Sequence, residues 1–556
     1  MIRIEEKSTK RIPGESSLFV TFDYKPELIG ILKTCTPNHY DKKTKVWEIP
    51  TTRLSKLINM AHQFDEIELK LQKTVTKEAV KYPLSRFKTK PYKYQEEGIQ
   101  FGLNNDNFLL LDAPGLGKTL QIIYLAEELK RTRGIKHCLI VCGINTLKTN
   151  WEKEIQKHSK LDCRILGKKV TRNGKVWFDG NKARVEELKH KIKEFFIITN
   201  IESLREDSFL SALKNGPNKV DMVAVDEIHV CKSHISQQGK NLLKLTFPKH
   251  KIGMTGTPIL NTPLDSYVPL KWIGAEKASY TNFRYQYCVY GGSFNNDLMG
   301  YKNVDVLKDI LANHSIRRTK ELLDLPEKTI IDEFLDMPDK QSKFYEDLRN
   351  GIIEEIDKVH VSTANLLAMV ARLRQATACP SILTTVDIPS AKIDRCCELI
   401  EEITSNGDKV VVFSTFKETL NTLYQRLHNY NPLLCHGDVP DLKVSENIDA
   451  FQQTDTNKVM LCTHAKMGVG VTLTAANYAI FIDQPWTDGA YEQCCDRIHR
   501  IGSKKPVFIY NLICNDTFDK RVYEIVKNKE AIGNYIVDNT IDRNSAELLK
   551  QYIKDL

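Results

Sequence analysis

No stretch of this sequence approaches the roughly 18 consecutive apolar residues that a membrane helix requires. The longest runs, such as Phe108–Leu111 and Val410–Phe413, are strand-sized, which predicts a soluble chain. The opening residues Met1-Ile-Arg-Ile-Glu-Glu-Lys lack the apolar core of a secretory signal, so an intracellular, reducing setting is expected and the 14 cysteines are expected to be free thiols. No Cys-x-x-Cys pair occurs. The adjacent pairs Cys396/Cys397 and Cys494/Cys495 have no His or Cys partner at zinc spacing. Repeats and low-complexity tracts are also missing, which excludes solenoid, collagen-like and mucin-like architectures.

What is present is ordinary globular material in quantity. At 556 residues, 41% apolar and 27% charged, the chain has length for about three or four compact units and apolar surface enough to bury their cores. The excess of 80 basic over 71 acidic residues gives +9, a mild lean towards a polyanionic partner.

Residues 1–80 predict a small α/β domain. Leu18, Val20 and Phe22 alternate as in a strand, and a helix started by Pro26 buries Leu28, Ile31 and Leu32. A polar turn over 39–45 feeds a strand at Val46–Ile49, and Ile67–Leu71 alternates again. From residue 81 the pattern changes to short, continuously apolar strands between helices, as expected of parallel strands covered on both faces. These predict strands at 108–111, 138–141, 196–199, 222–225 and 251–254, then at 410–413, 459–462, 479–482 and 507–510. Hence two α/β lobes are expected, over 81–265 and 391–530. Between them, 266–390 reads as a helical linker and insertion, and 531–556 as a helical tail. The most basic stretch, 168–193, carries a hairpin-turn dipeptide at Asn173-Gly174.

Three clusters carry chemistry. Asp112-Ala-Pro-Gly-Leu-Gly-Lys-Thr119 follows a predicted strand and opens a predicted helix. Gly115 and Gly117 free the backbone N–H groups to meet phosphate, Lys118 reaches the β- and γ-phosphates, and the Thr119 hydroxyl is placed for Mg²⁺. The general pattern asks for glycine where Asp112 stands. The apolar strand Val223–Val225 ends in Asp226-Glu227, with Asp226 assigned to Mg²⁺ and Glu227 to the attacking water. In Gln493–Gly502, Arg497 and Arg500 are three apart and are expected to share a helix face, reaching a phosphate when the lobes close.

In order along the chain, Tyr94-Gln95, Asp112–Thr119, Leu139–Trp151, Ile197–Glu202, Asp226–His229, Met254–Pro258, Arg317–Pro326, Leu373–Ala376, Phe413–Phe416, His436–Asp438, Gly468–Ala476, Asp483–Trp486 and Gln493–Gly502 resemble the motifs of superfamily-two helicases. Within these the chain is similar to the Swi/Snf family of duplex-DNA translocases, over about residues 85–530. The Arg317-Arg-Thr-Lys320 run is the segment that sets that family apart. The resemblance implies two RecA-like parallel-sheet lobes with helical insertions, ATP and Mg²⁺ as cofactors, DNA as partner, and helicase-type ATP hydrolysis in replication, recombination or repair. It further implies that Gln95 recognises adenine and that Gly470 lies near the nucleotide. Asn145, Lys148, Thr199, Asn200, Thr255, Ser414, Thr415, Lys466 and Trp486 are implied to line a DNA groove, where phosphate contacts confer affinity without sequence readout. Ile228, Met467, Thr472 and Ser503 depart from the family's usual residues.

Residues 22–29 and 40–47 also resemble the HepA-related (HARP) domain of annealing helicases, implying that the N-terminal unit binds forked or branched DNA. Lys42 and Lys43 beside Trp47 offer phosphate contacts and an aromatic face for stacking. A monomer in a prokaryotic cytoplasm or a virus-infected cell is expected. Two other readings stay open: a strand-separating DNA or RNA helicase, and a DNA-binding scaffold that grips nucleotide without turnover.

Overall fold

A computed structural model describes the chain except residues 9–15, 62–63, 65–66, 71–79, 86, 144, 171–175, 257–261, 292–296, 324, 359–362, 468–470, 529–542 and 556. Its contacts divide it into two units. The first comprises Met1–Ala113, Gly117–Gly143 and Trp151–Thr319; the second comprises Pro114–Leu116, Ile144–Asn150 and Lys320–Leu556.

The first unit begins with a five-stranded sheet ordered His39–Asp41, Val46–Pro50, Ser16–Thr21, Ile2–Ser8, Ile67–Lys70. All its pairings are antiparallel except that of the last two strands, where Ile2 faces Ile67. Period-2 alternation places Ile2, Ile4, Leu18, Val20, Trp47 and Ile49 in one core with Leu28, Ile31 and Leu32 of the Pro26–Lys33 helix. The Asn303 side chain pins the edge strand. Its amide donates to the Ile67 carbonyl and accepts from the Leu69 N–H, each at 3.2 Å, as a neighbouring strand would.

The larger sheet of this unit has seven strands, all parallel, in the order Ser315–Ile316, Asn107–Leu110, His250–Met254, Val220–Asp226, His137–Cys142, Phe196–Asn200, Cys163–Ile165. The Phe196–Asn200 strand is buried at every position, as a strand covered on both faces must be. The second unit holds six parallel strands, ordered Lys328–Leu335, Val507–Cys514, Tyr478–Phe481, Val410–Ser414, Val459–Thr463, Leu433–Cys435. Strand parity divides its apolar residues between two cores. Val411, Phe413, Met460 and Cys462 face one, while Val410, Val412, Val459 and Leu461 face the other.

Each strand expected in the two lobes is present. The 266–390 segment carries helices as expected, among them Val304–His314, Asp339–Lys358 and Thr363–Ala378, but it also supplies strands that were not expected: Ser315–Ile316 extends one edge of the seven-stranded sheet, and Lys328–Leu335 forms the edge of the six-stranded one. No position of this edge strand is buried, and Lys328–Leu335 accordingly mixes Ile and Phe with Asp332 and Glu333 and shows no continuous apolar run. Further along, the Arg543–Lys554 helix buries Leu549 and Ile553 in the second unit's core. Asn173-Gly174 lies outside the described residues, flanked by the antiparallel strands Lys168–Val170 and Val176–Phe178. Among the described residues no helix is long and apolar enough to cross a membrane.

Candidate functional site

The carboxyl ends of parallel strands open into loops at one edge of a sheet, which is where such folds place ligands. The Asn107–Leu110 strand runs through 111–117 into the Lys118–Arg133 helix. Gly115 (φ 87°) and Gly117 (φ 73°) adopt left-handed backbone, where a side chain is strained. A Cβ on Gly117 would also collide with the Gln95 amide nitrogen, so Gln95 lies directly against the loop. Gln95 is buried and its Oε1 accepts from the Tyr92 N–H at 2.9 Å. Lys118 is the first residue of the helix, and its Nζ turns back to donate to the Asp112 carbonyl at 2.8 Å and to the Ala113 carbonyl at 3.4 Å. Thr119 follows, half-buried. Glycine-freed backbone, a helix N-terminus and one ammonium make a cradle that fits a chain of phosphates.

At the same edge, Asp226 ends the Val220–Asp226 strand and Glu227 takes a left-handed conformation (φ 52°). That backbone is costly for a non-glycine residue and is found where function requires an exact aim. Asp226 is 9% exposed. It accepts from the Trp151 indole N–H at 3.0 Å and the Glu227 N–H at 3.1 Å. Burial first, and the Glu227 charge second, push its carboxyl up to about 6, against the pull of Trp151 and Lys118. The Thr255 hydroxyl donates to Glu227 Oε2 at 3.3 Å, and His229 Nδ1 lies 3.3 Å from that oxygen and 3.0 Å from the Thr255 hydroxyl. The buried Asp226 carboxylate beside the half-buried Glu227 has the oxygen chemistry that suits a divalent cation.

In the second unit, the Thr487 hydroxyl caps the Asp488–Ile498 helix, and Arg497 occupies its last turn. Arg500 lies beyond the helix end, because His499 (φ −100°, ψ 82°) leaves helical conformation; the expectation of one shared helix face is therefore corrected. The two guanidiniums still converge. Arg497 and Arg500 each donate through Nη1 to the Val471 carbonyl, at 3.4 and 3.3 Å. Gly470 lies outside the described residues.

The residues assigned to DNA contact separate into two groups. Thr199, Thr255 and Ser414 are buried, and their hydroxyls are engaged inward with Ser203 (2.8 Å), with Glu227 and His229, and with Asp483 (2.5 Å) respectively. A direct phosphate contact from these three side chains is thereby corrected, since each would have to break an internal bond. Lys148 and Asn200 are also buried. Asn145 opens the Asn145–His158 helix, and its side chain lies outside the described residues. Thr415 is exposed, its N–H held by Asp483 at 2.9 Å. Lys466 is half-buried and paired with Asp441. Trp486 is half-buried beneath the Arg374 guanidinium, 4.8 Å from the ring centre. In the N-terminal sheet, Trp47 is 7% exposed and part of the core. Its ring is therefore withdrawn from stacking, a second correction. Lys42 and Lys43 are exposed in the turn, and Tyr40, 40% exposed and 4.9 Å from Trp47, is the open ring there.

Sequence reasoning missed the groups that hold these residues. Trp151 entered only as the end of a motif and Arg318 only as a family marker, yet they grip Asp226 and Asp112. Arg374 does the same for Asp483 in the second unit, at 3.3 Å. The available signal was each aspartate itself: a carboxylate closing an apolar strand demands a partner.

A model of the SNF2-related domain matches residues 34–382. The chain belongs to the SNF2-related family. The helicase conserved C-terminal domain matches residues 391–502. An uncharacterized ATP-dependent helicase of Mycoplasma genitalium is 27% identical over 465 residues, covering 79% of this chain and 41% of that protein. The SWI/SNF-related matrix-associated actin-dependent regulator of chromatin subfamily A-like protein 1 of Drosophila melanogaster is 24% identical over 94% of this SNF2-related chain and 67% of its own length. The Sulfolobus solfataricus SWI2/SNF2 ATPase core solved with duplex DNA is 24% identical, covers 85% of this chain and 98% of its own, and has a TM-score of 0.37. The chain spans about two fifths of the length of the Mycoplasma relatives it matches.

Proposed function

We propose that this SNF2-related protein is a DNA-stimulated ATPase that moves along duplex DNA, acting on forked or branched substrates in replication, recombination or repair. The observation that carries the reading is the convergence of Gly117, Lys118, Gln95, Asp226 and Glu227 at the carboxyl edge of one parallel sheet. In this reading the loop N–H groups and Lys118 bind the phosphates of ATP and Gln95 reads its base. Glu227, steadied by Thr255 and His229, orients the attacking water and takes its proton. Thr119 and Asp226 would hold Mg²⁺, which when bound neutralises charge on the β- and γ-phosphates. Arg497 and Arg500 donate to the transition-state charge, a role worth roughly 10³–10⁵ in rate. Exposed Lys42, Lys43 and Tyr40 support a fork-reading role for the N-terminal sheet, with backbone phosphates as the contacts.

The test is steady-state ATP hydrolysis without nucleic acid and with single-stranded DNA, blunt duplex, forked DNA or RNA, with Glu227→Gln as control. Greatest stimulation by forked or duplex DNA, lost in Glu227→Gln while nucleotide still binds, is the expected result. Preference for RNA, or indifference to all of them, would overturn the DNA half of the proposal.

A further inference from the structure

Asp112 stands where the general phosphate-loop pattern asks for glycine, and its side chain is 0% exposed. A carboxylate so buried is tolerated only when paired and fully hydrogen-bonded. Arg318, 206 positions away, supplies the pairing as a fork: Nε to Oδ1 at 2.9 Å and Nη2 to Oδ2 at 2.6 Å. Gln121, on the helix that Lys118 opens, donates to the same carboxylate at 2.9 Å and accepts from Arg318 Nη2 at 2.7 Å. Arg318 Nη1 donates to the carbonyl of Tyr94, the residue before Gln95. The backbone joins in, with Ala113 N–H donating to the Arg318 carbonyl at 2.9 Å. One guanidinium therefore fastens the start of the phosphate loop, the helix after it and the helix that carries Gln95. Gly98 makes room: a Cβ there would collide with the Gln121 amide oxygen and lie 2.8 Å from Arg318 Nη2.

Two residues further along the chain, inside the second unit, Lys320 pairs with Asp496. Asp496 is buried on the Asp488–Ile498 helix and immediately precedes Arg497. The same short run thus anchors Asp112 and Ala113, at the start of the phosphate loop, within one unit and the arginine helix within the other.

We propose that Arg318 and Lys320 are positioning residues of the nucleotide site, Arg318 acting through the phosphate loop and Gln95, and Lys320 through Arg497. The proposal rests on the reading of this site as an ATPase, and its two halves are read by different quantities. A loop whose anchor is loosened binds nucleotide poorly but hydrolyses what it binds. An arginine helix whose anchor is loosened leaves binding intact and slows the chemical step.

The experiment uses the full chain and compares wild type, Arg318→Lys, the neutral pair Asp112→Asn with Arg318→Gln, Lys320→Ala and Lys320→Arg. It combines equilibrium titration with a fluorescent ATP analogue, DNA-stimulated ATP hydrolysis and thermal melting. Arg318→Lys keeps the charge and loses the fork, so analogue affinity falls and KM rises by about tenfold or more, with kcat within about threefold. Lys320→Ala lowers kcat by about tenfold with analogue affinity unchanged, and Lys320→Arg restores most of it. Wild-type affinity in both Arg318 variants would overturn the first half. For the second half, the overturning result is a Lys320→Ala protein in which kcat is unchanged or affinity falls in step with it. A wild-type protein that binds the analogue without turning over ATP sinks the ATPase reading and the Lys320 half together, while binding still decides the Arg318 half.

Discussion

The hydrogen bond from Trp151 to Asp226 makes a quantitative claim about pH. Asp226 is pushed up to about 6, chiefly by burial, and the indole N–H at 3.0 Å opposes that push by favouring the ionised form. Trp151→Phe keeps most of the buried ring and deletes the donor. A hydrogen bond to a charged group is worth about 1.5–3 kcal/mol, which corresponds to roughly one to two further units upward. If hydrolysis needs Asp226 ionised, activity falls as pH drops through its pKa, so raising that pKa moves the acid limb to higher pH. The assay is the pH profile of kcat/KM for DNA-stimulated hydrolysis, which reports the free enzyme. Titration of the nucleotide itself is common to both proteins and cancels in the comparison. At pH well above the limb the two proteins should converge. A melted variant is recognised by its thermal transition; a folded one whose limb moves by less than about a third of a unit refutes the argument.

Two further outcomes follow from burial. Asp226 has a folded pKa raised above its unfolded value of 3.8, so its ionisation opposes folding above about pH 6 and costs nothing below about pH 4. Asp226→Asn should therefore abolish hydrolysis yet raise thermal stability at pH 8, by on the order of 3 kcal/mol at most, with the gain fading towards pH 4.5; a gain that does not vary with pH contradicts the assignment. Trp47→Leu, at a core position, should destabilise the N-terminal sheet by about 2–4 kcal/mol, whereas Lys42→Ala with Lys43→Ala should leave melting unchanged and weaken DNA binding with a shallower salt dependence. Selective loss of DNA binding in a Trp47→Leu protein that melts like wild type would restore the stacking role.

Legibility in the sequence followed the range of the interactions. The phosphate loop and the Asp226-Glu227 strand end were readable because their chemistry is local, a handful of residues at fixed spacing. Central strands such as Phe196–Asn200 were readable because burial on both faces leaves an unbroken apolar run. Trp47 shows the opposite difficulty. Its period-2 relation to Ile49 places both on one face, but three lysines in the preceding turn drew the reading towards the surface. The inward-turned hydroxyls of Thr199, Thr255 and Ser414 depend on Ser203, His229 and Asp483, partners that spacing alone does not reveal. The Arg318 fork, spanning 206 positions, has no local signature beyond an aspartate where glycine is expected.

The pairing of Lys328–Leu335 with Val507–Cys514 bears on how the chain is made. These two strands are in register over eight residue pairs, and among the described residues the first has no other partner in its sheet. Emerging from a ribosome, it must wait for a partner encoded roughly 180 positions later, about 10–35 s at ordinary elongation rates. During that interval the backbone N–H and C=O groups of Lys328–Leu335 that later pair with Val507–Cys514 form an open edge, the kind that pairs with other chains. The sheet of the second lobe is thus complete only after every residue of its arginine helix has been synthesised.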